Sequence, residues 1–121
     1  MIRMKATVSS RQVCPEFQHA VELIGRRWTG SVLYLLLAGP AGYAELRGGI
    51  PGITDRMLCE RLRELESEEI VSRTVLGGAP VRVRYALTRK GRSLAGVMER
   101  IARWGEAWVA PSAKRPSSRV R

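Results

Sequence analysis

The 121-residue sequence predicts a mainly α domain that carries one small β-hairpin. Three observations lead there. Apolar residues recur at helical spacing from residue 15 to residue 66, and again from 89 to 110. Between those stretches, residues 70–88 change to a two-residue period around Gly77-Gly78-Ala79-Pro80. Residues 43–66 read as two helices joined by Pro51-Gly52, the second apolar on one side and arginine-bearing on the other.

Taken in order, residues 1–13 form a polar, basic arm expected to be mobile. Cys14-Pro15 ends it, because proline suits the first turn of a helix. That helix runs to about Ile24, with Phe17, Ala20, Val21 and Ile24 as its inner face, and Gly25 stops it. Trp28 opens a second helix, reaching Ala38, whose Val32, Leu33, Leu35, Leu36 and Leu37 make it apolar nearly all round and therefore central. Gly39-Pro40 closes it.

A short amphipathic segment follows, with Tyr43, Leu46 and Ile50 on one side. After the Pro51-Gly52 break, Thr54 is placed to cap a longer helix through its hydroxyl. Leu58, Leu62 and Leu65 make the stripe that docks this helix on its own domain. Arg56, Glu60 and Arg63 lie on the far side, with Cys59 on the flank. Such a pair is a helix-turn-helix, and Thr54, Asp55, Arg56, Cys59, Glu60 and Arg63 are its candidate DNA contacts. Arg56 lies in the first turn, where side chains reach deepest into the major groove. A merely solvated helix face is the alternative for any one of these residues.

In the hairpin, Val81, Val83, Tyr85 and Leu87 are expected to face inward, and Arg82 and Arg84 outward. No acidic residue occurs from Ile70 to Met98, while Arg73, Arg82, Arg84, Arg89, Lys90 and Arg92 are basic. A hairpin directly after a recognition helix is the wing of a winged helix-turn-helix. Arg82 and Arg84 are its candidate contacts to the phosphate backbone; an edge hairpin charged against aggregation is the plainer alternative. The last helix, Arg89 to Ala110, carries Leu94, Val97, Met98, Ile101, Trp104 and Trp108 at 3–4 spacing, close to a coiled-coil seam. Two tryptophans there exceed what a small core needs. A homodimer built by the N- and C-terminal helices is therefore expected, using Phe17, Val21, Leu94, Met98, Ile101, Trp104 and Trp108. Residues 14–110 make the domain, and 111–121, rich in Pro, Ser and Arg, form a tail expected to be disordered.

The net charge of +10, mostly arginine on the basic side, favours nucleic acid or another anionic surface. No apolar leader stands at the N-terminus, and the apolar run 32–38 is too short to span a bilayer. A cytoplasmic location and no membrane partner are expected. Cys14 and Cys59 are far apart and make no metal-ligand spacing, so neither a metal nor a cofactor is expected. No paired acid and base, nucleophile–histidine–acid set or phosphate-cradling glycine loop appears, which argues against an enzyme. A basic winged helix that binds RNA or protein without operator specificity is the alternative function.

The residues resemble one family closely, the HxlR-type transcriptional regulators within the MarR-like group. The resemblance rests on Cys14-Pro15, Ile24 to Thr29, Leu37 with Gly39-Pro40, Glu45-Leu46, Pro51 to Thr54, Leu58, Arg61 to Glu66, Ile70-Val71, Val83 with Tyr85, Leu87-Thr88, Gly91 and Trp104-Gly105. It covers residues 14–108. It implies a homodimer on a pseudo-palindromic double-stranded DNA operator, with an oxidant or small molecule as effector. Some members sense oxidants or electrophiles through a cysteine just before proline, which is where Cys14 stands. The position suits that role, since a helix N-terminus favours a thiolate; a small buried hydrophobe is the plain alternative. Three residues depart from the pattern. Glu69 stands where glycine is usual, so the recognition helix is expected to lack a left-handed cap. Arg84 replaces an often acidic residue, and Gly30 a larger one.

Overall fold

The computed structural model describes residues 11–109. The arm and tail expected at 1–13 and 111–121 lie outside these residues, apart from 11–13. The elements, in order, are α1 (Pro15–Ile24), α2 (Thr29–Leu37), β1 (Ala41–Gly42), α3 (Tyr43–Gly49), α4 (Asp55–Ser67), β2 (Val71–Leu76), β3 (Arg82–Leu87), α5 (Arg89–Arg92) and α6 (Ala95–Trp108). The result is a winged helix-turn-helix: α2 at the centre, α3 and α4 as the helix pair, and an antiparallel sheet of order β1-β3-β2 as the wing.

Helix α2 earns its central place from its composition. Val32, Leu33 and Leu36 are at most 2% exposed, and the helix touches α1, α3, α4, α6 and β3. Its apolar surround is incomplete, because Tyr34 stands 56% exposed. Trp28 precedes the helix with a left-handed backbone (φ 78°). The Arg27 guanidinium lies 4.7 Å over its ring, a cation–π contact.

Helix α4 docks as its stripe requires. Leu58, Leu62 and Leu65 are 0–2% exposed, packed with Ile50, Ile53 and Ile70 in one core. Burial of a leucine side chain is worth roughly 1.5–3 kcal/mol, so this stripe holds the helix in place. Thr54 caps it, the hydroxyl accepting from Met57 N–H at 3.1 Å. The turn before it is closed by Ile53 N–H donating to Ile50 C=O at 3.2 Å. Gly52 takes φ +88° there, so Pro51-Gly52 fills the two central places of a type II turn. A Cβ on Gly52 would also lie 3.6 Å from the Trp28 ring.

Four expectations are corrected. First, α1 turns only Leu23 and Ile24 to the core; Phe17 is 50% and Val21 49% exposed, and Ala20 is exposed too. Their spacing marks an apolar face, and no described residue covers it. Second, the wing's inward face fades toward its tip. Tyr85 and Leu87 are buried, Val83 half-buried and Val81 62% exposed, because the hairpin extends past the helices that cover its base. The strand β1, which pairs Ala41 with Tyr85, has no periodic signal in its two residues. Third, the expected helix 89–110 is broken at Ser93-Leu94 into α5 and α6. The Thr88 hydroxyl accepts from Gly91 N–H at 3.0 Å and donates to Glu69 C=O at 2.7 Å. Gly91 packs so closely under the Ile70 carbonyl that a Cβ has no room. This turn is tied to β2, leaving α6 to set off in its own direction.

Fourth, the helix α4 does have a left-handed cap. Glu69 adopts φ 62° itself. Glu69 N–H donates to Glu66 C=O and Ile70 N–H to Leu65 C=O, both at 2.9 Å, the two bonds of a Schellman motif. The Thr88 hydroxyl on the Glu69 carbonyl and Lys90 Nζ on the Glu68 carbonyl, each at 2.7 Å, hold the backbone there. Glu69→Gly should therefore stabilise the fold by about 0.5–1 kcal/mol, the left-handed penalty of about 1–2 kcal/mol less the larger unfolded-chain entropy of glycine. Urea unfolding measures it; an unchanged or lowered midpoint would mean the αL site is not strained.

Candidate nucleic-acid interface

The free side of α4 is arginine and glutamate. Arg56 has 85% of its side chain exposed, Arg63 is exposed, and Glu60 is 41% exposed. Arg56 Nε donates to Glu60 Oε2 at 3.3 Å. Thr54 serves as the cap described above.

Asp55, the first residue of α4, is exposed and bonded to α3 through one carboxylate oxygen. Its Oδ1 accepts from the Tyr43 hydroxyl at 2.9 Å and from Arg47 Nε at 2.8 Å. Cys59, one turn further on, donates its S–H to the same Tyr43 oxygen at 3.7 Å. These four side chains clamp the start of α4 to α3, so that the two helices keep a fixed relation. Burial, then hydrogen bonds with Cys59 and Asp55, push the Tyr43 hydroxyl well above the usual tyrosine range. The Tyr43 hydroxyl, then Arg47, hold the Asp55 carboxyl below the usual carboxylate range.

A second tether joins α4 to the loop before α2. Arg61 is only 8% exposed although it carries a full charge. Its Nε donates to Arg27 C=O at 3.0 Å, Nη1 to Glu64 Oε2 at 2.8 Å, and Nη2 lies 3.9 Å from Glu60 Oε1. Arg26 reaches Glu64 from the other side at 3.2 Å.

In the wing, cross-strand pairs share a face. Arg84 stands opposite Thr74 and Arg82 opposite Leu76, both arginines exposed and on the face away from the buried Tyr85. Arg73 pairs with Tyr85, so the basic residues of the wing occupy both faces. Arg82 and Arg84 also border a cleft of about 600 Å³ with Gly42, Tyr43 and Glu45 at the start of α3. The cleft joins the wing to the start of α3. Among the described residues no group of His, Cys, Asp and Glu is placed to hold a metal ion. No helix there is long and apolar enough to cross a membrane.

A family description, HxlR-like helix-turn-helix, matches residues 23–113. The chain belongs to this family. Among its HxlR-like relatives, the regulator YodB of Bacillus subtilis is 41% identical over 82% of this chain and 88% of its own. YvaP, an uncharacterized HTH-type transcriptional regulator of the same organism, is 37% identical over 87% and 97%. The reduced form of YodB superposes with a TM-score of 0.71 at 40% identity, covering 84% of this chain and 99% of that one. The redox regulator HypR in its oxidized form superposes with a TM-score of 0.76 at 37% identity, covering 81% and 100%. A quinone-bound form of YodB has also been solved. The protein is accordingly a DNA-binding transcription regulator of HxlR-like, MarR-like winged-helix type, a family of regulators and not of enzymes.

The remaining expected site residues divide in two. Phe17, Val21, Ile101, Trp104 and Trp108 are exposed, the tryptophans by 63% and 74%. Met98 and Leu94 instead belong to this chain's own core. Met98 is 5% exposed, and its methyl fills the space over Gly30, 3.7 Å from where a Cβ would stand. Cys14, half-buried, is the N-cap of α1. Tyr43, Arg47 and Arg61 were not among the expected site residues. Arg61 carried a readable signal, a charge three residues after Leu58 and one before Leu62; the Tyr43 and Arg47 bonds to Asp55 had none.

The clamp makes a pH prediction. A carboxyl with a lowered folded pKa contributes stability above its ordinary value near 4, lost as pH falls through the folded value. A tyrosine with a raised folded pKa contributes stability below its ordinary value near 10, lost as pH rises further. The difference in melting temperature between the HxlR-like wild type and Asp55→Ala should therefore be flat from about pH 5 to 9 and shrink below about pH 4. A difference that persists undiminished at pH 2–3 would show that Asp55 acts through something other than its charge.

Proposed function

We propose that this HxlR-like protein is a homodimer that binds a pseudo-palindromic double-stranded DNA operator in a sequence-specific manner, and that Cys14 makes it responsive to oxidants or electrophiles. The observation that carries the reading is a clamped recognition helix in a domain whose α1 and α6 both leave large apolar side chains exposed. Thr54, Arg56, Cys59, Glu60 and Arg63 line the side of α4 that would enter the major groove, and Asp55 sets its angle. Arg82 and Arg84 of the wing would bind backbone phosphates, a sequence-independent contribution.

The exposed Phe17, Val21, Ile101, Trp104 and Trp108 form an apolar surface of the kind that marks an interface. A two-fold pairing through it makes the face self-complementary and sets two recognition helices one DNA turn, about 34 Å, apart. Selection from a random duplex pool should return an inverted repeat with that half-site spacing. Trp104→Ala should sediment as monomer, and its operator affinity should fall roughly a hundredfold or more as bivalent binding is lost. A wild type that sediments as monomer at micromolar concentration would sink the dimer.

Cys14 caps a helix at the edge of that same apolar face, so modifying it places bulk or charge beside the proposed contact between protomers. YodB has been solved reduced, diamide-treated and quinone-bound, and HypR both reduced and oxidized, which supports thiol chemistry as the signal here. Treatment with diamide should release operator from the wild type, and Cys14→Ser should stay bound. Release that persists in Cys14→Ser would move the sensor elsewhere, with Cys59 as the next thiol to substitute.

A further inference from the structure

The Arg56–Glu60 pair is placed against the interests of helix stability. A cation at the second position of a helix opposes the positive end of its dipole, and stability alone would put the acid four residues before the base. In α4 the order is reversed, with Arg56 in the first turn and Glu60 after it. Glu60 is itself held. Its Oε2 takes Arg56 Nε at 3.3 Å, while its Oε1 lies 3.9 Å from Nη2 of Arg61. Arg61 in turn is fixed by the Arg27 carbonyl and Glu64. A buried ion pair is seldom better for stability than an apolar residue of the same volume. The chain of contacts therefore runs from a buried arginine with two hydrogen bonds, through a glutamate, to an arginine whose side chain is 85% exposed.

What reaches solvent is the end of the Arg56 fork. Nε is occupied by Glu60, and neither Nη has a partner among the described residues. Two parallel N–H donors at the end of a guanidinium match O6 and N7 of guanine in the major groove, and a held side chain gives up less rotamer freedom on binding. We infer that Glu60, steadied by Arg61, positions Arg56 to read a guanine in each half-site. Glu60 and Arg61 are thus positioning residues for base specificity. The inference rests on the proposed sequence-specific binding to DNA and names what one residue of that site recognises.

The test compares full-length wild type with Glu60→Ala, Arg61→Met and Arg56→Ala by selection from a random duplex pool. Anisotropy titrations at one salt concentration follow, on the selected site, on the site with its guanine replaced, and on random duplex. The wild type should select a guanine at one position per half-site. Glu60→Ala should lower discrimination at that position about tenfold, the scale of one bidentate base contact. Its affinity for random duplex should be unchanged or higher, since an anion has been removed beside the phosphates. Arg61→Met should show the same loss, and Arg56→Ala, which has no donor to offer, should lose the preference too. Glu60 is half-exposed, so its variant keeps the test valid should Arg61→Met lower the melting temperature. A guanine preference that survives in Glu60→Ala or Arg56→Ala overturns the inference. So does a Glu60→Ala variant that weakens selected and random duplex alike, which is what a packing role would do. If the wild type itself selects no motif, the sequence-specific reading fails and this inference with it, an outcome distinct from a loss seen only in the variants.

Discussion

Everything in this domain depends on the burial of one leucine stripe. Leu58, Leu62 and Leu65 of α4 sit in the core with Val32, Leu33 and Leu36 of α2, all at most 2% exposed. That contact turns the opposite side of α4 outward. It also fixes where α4 ends, and the Schellman bonds at Glu69 then carry the chain directly into β2. The wing inherits its position from that turn. Thr88, bonded to the Glu69 carbonyl, and Gly91, packed against the Ile70 carbonyl, pass the same constraint on to α5. A shift of the leucine stripe would move the helix pair, the wing and the start of α6 together.

Charge on α4 does three separate kinds of work. Asp55 and Arg61 face sideways and backwards, one bound to Tyr43 and Arg47, the other to the Arg27 carbonyl and Glu64. Both spend their charge on orientation. Arg56 and Arg63 face outward, Arg56 with its Nε on Glu60. Glu60 lies between the two groups and touches both. A basic protein that must approach a polyanion needs its acids neutralised or turned aside, and the acids of the first two turns of α4 are paired with arginines in this way.

The apolar surface is unevenly distributed. One side of the domain closes its core with Met98, Leu94, Leu23 and Ile24. Just beyond them, α1 and α6 show Phe17, Val21, Ile101, Trp104 and Trp108 to solvent. Met98 and Ile101 are three residues apart on one helix, yet one is 5% and the other 51% exposed. The boundary between the core and the exposed apolar surface runs between them.

The sequence alone determined what is local and periodic. The leucine stripe, the Thr54 cap, the Pro51-Gly52 turn and the hairpin all follow from residue type at fixed offsets, because helices and strands repeat every 3.6 and 2 residues. The outward Arg56, Arg63, Arg82 and Arg84 follow from the same phases. Tertiary structure decided what lies across the chain. The Tyr43–Asp55 bond spans 12 residues and the Arg61–Arg27 bond 34; no periodicity encodes such partners. Periodicity grouped Met98 with Trp104 on one apolar helix, but only packing against the other elements made one 5% and the other 63% exposed. It marked Glu69 as a poor cap residue, yet bonds from Thr88 and Lys90, distant in sequence, held that residue left-handed. An apolar or strained position can be read from the chain, whereas the atoms that cover or hold it are supplied by the fold.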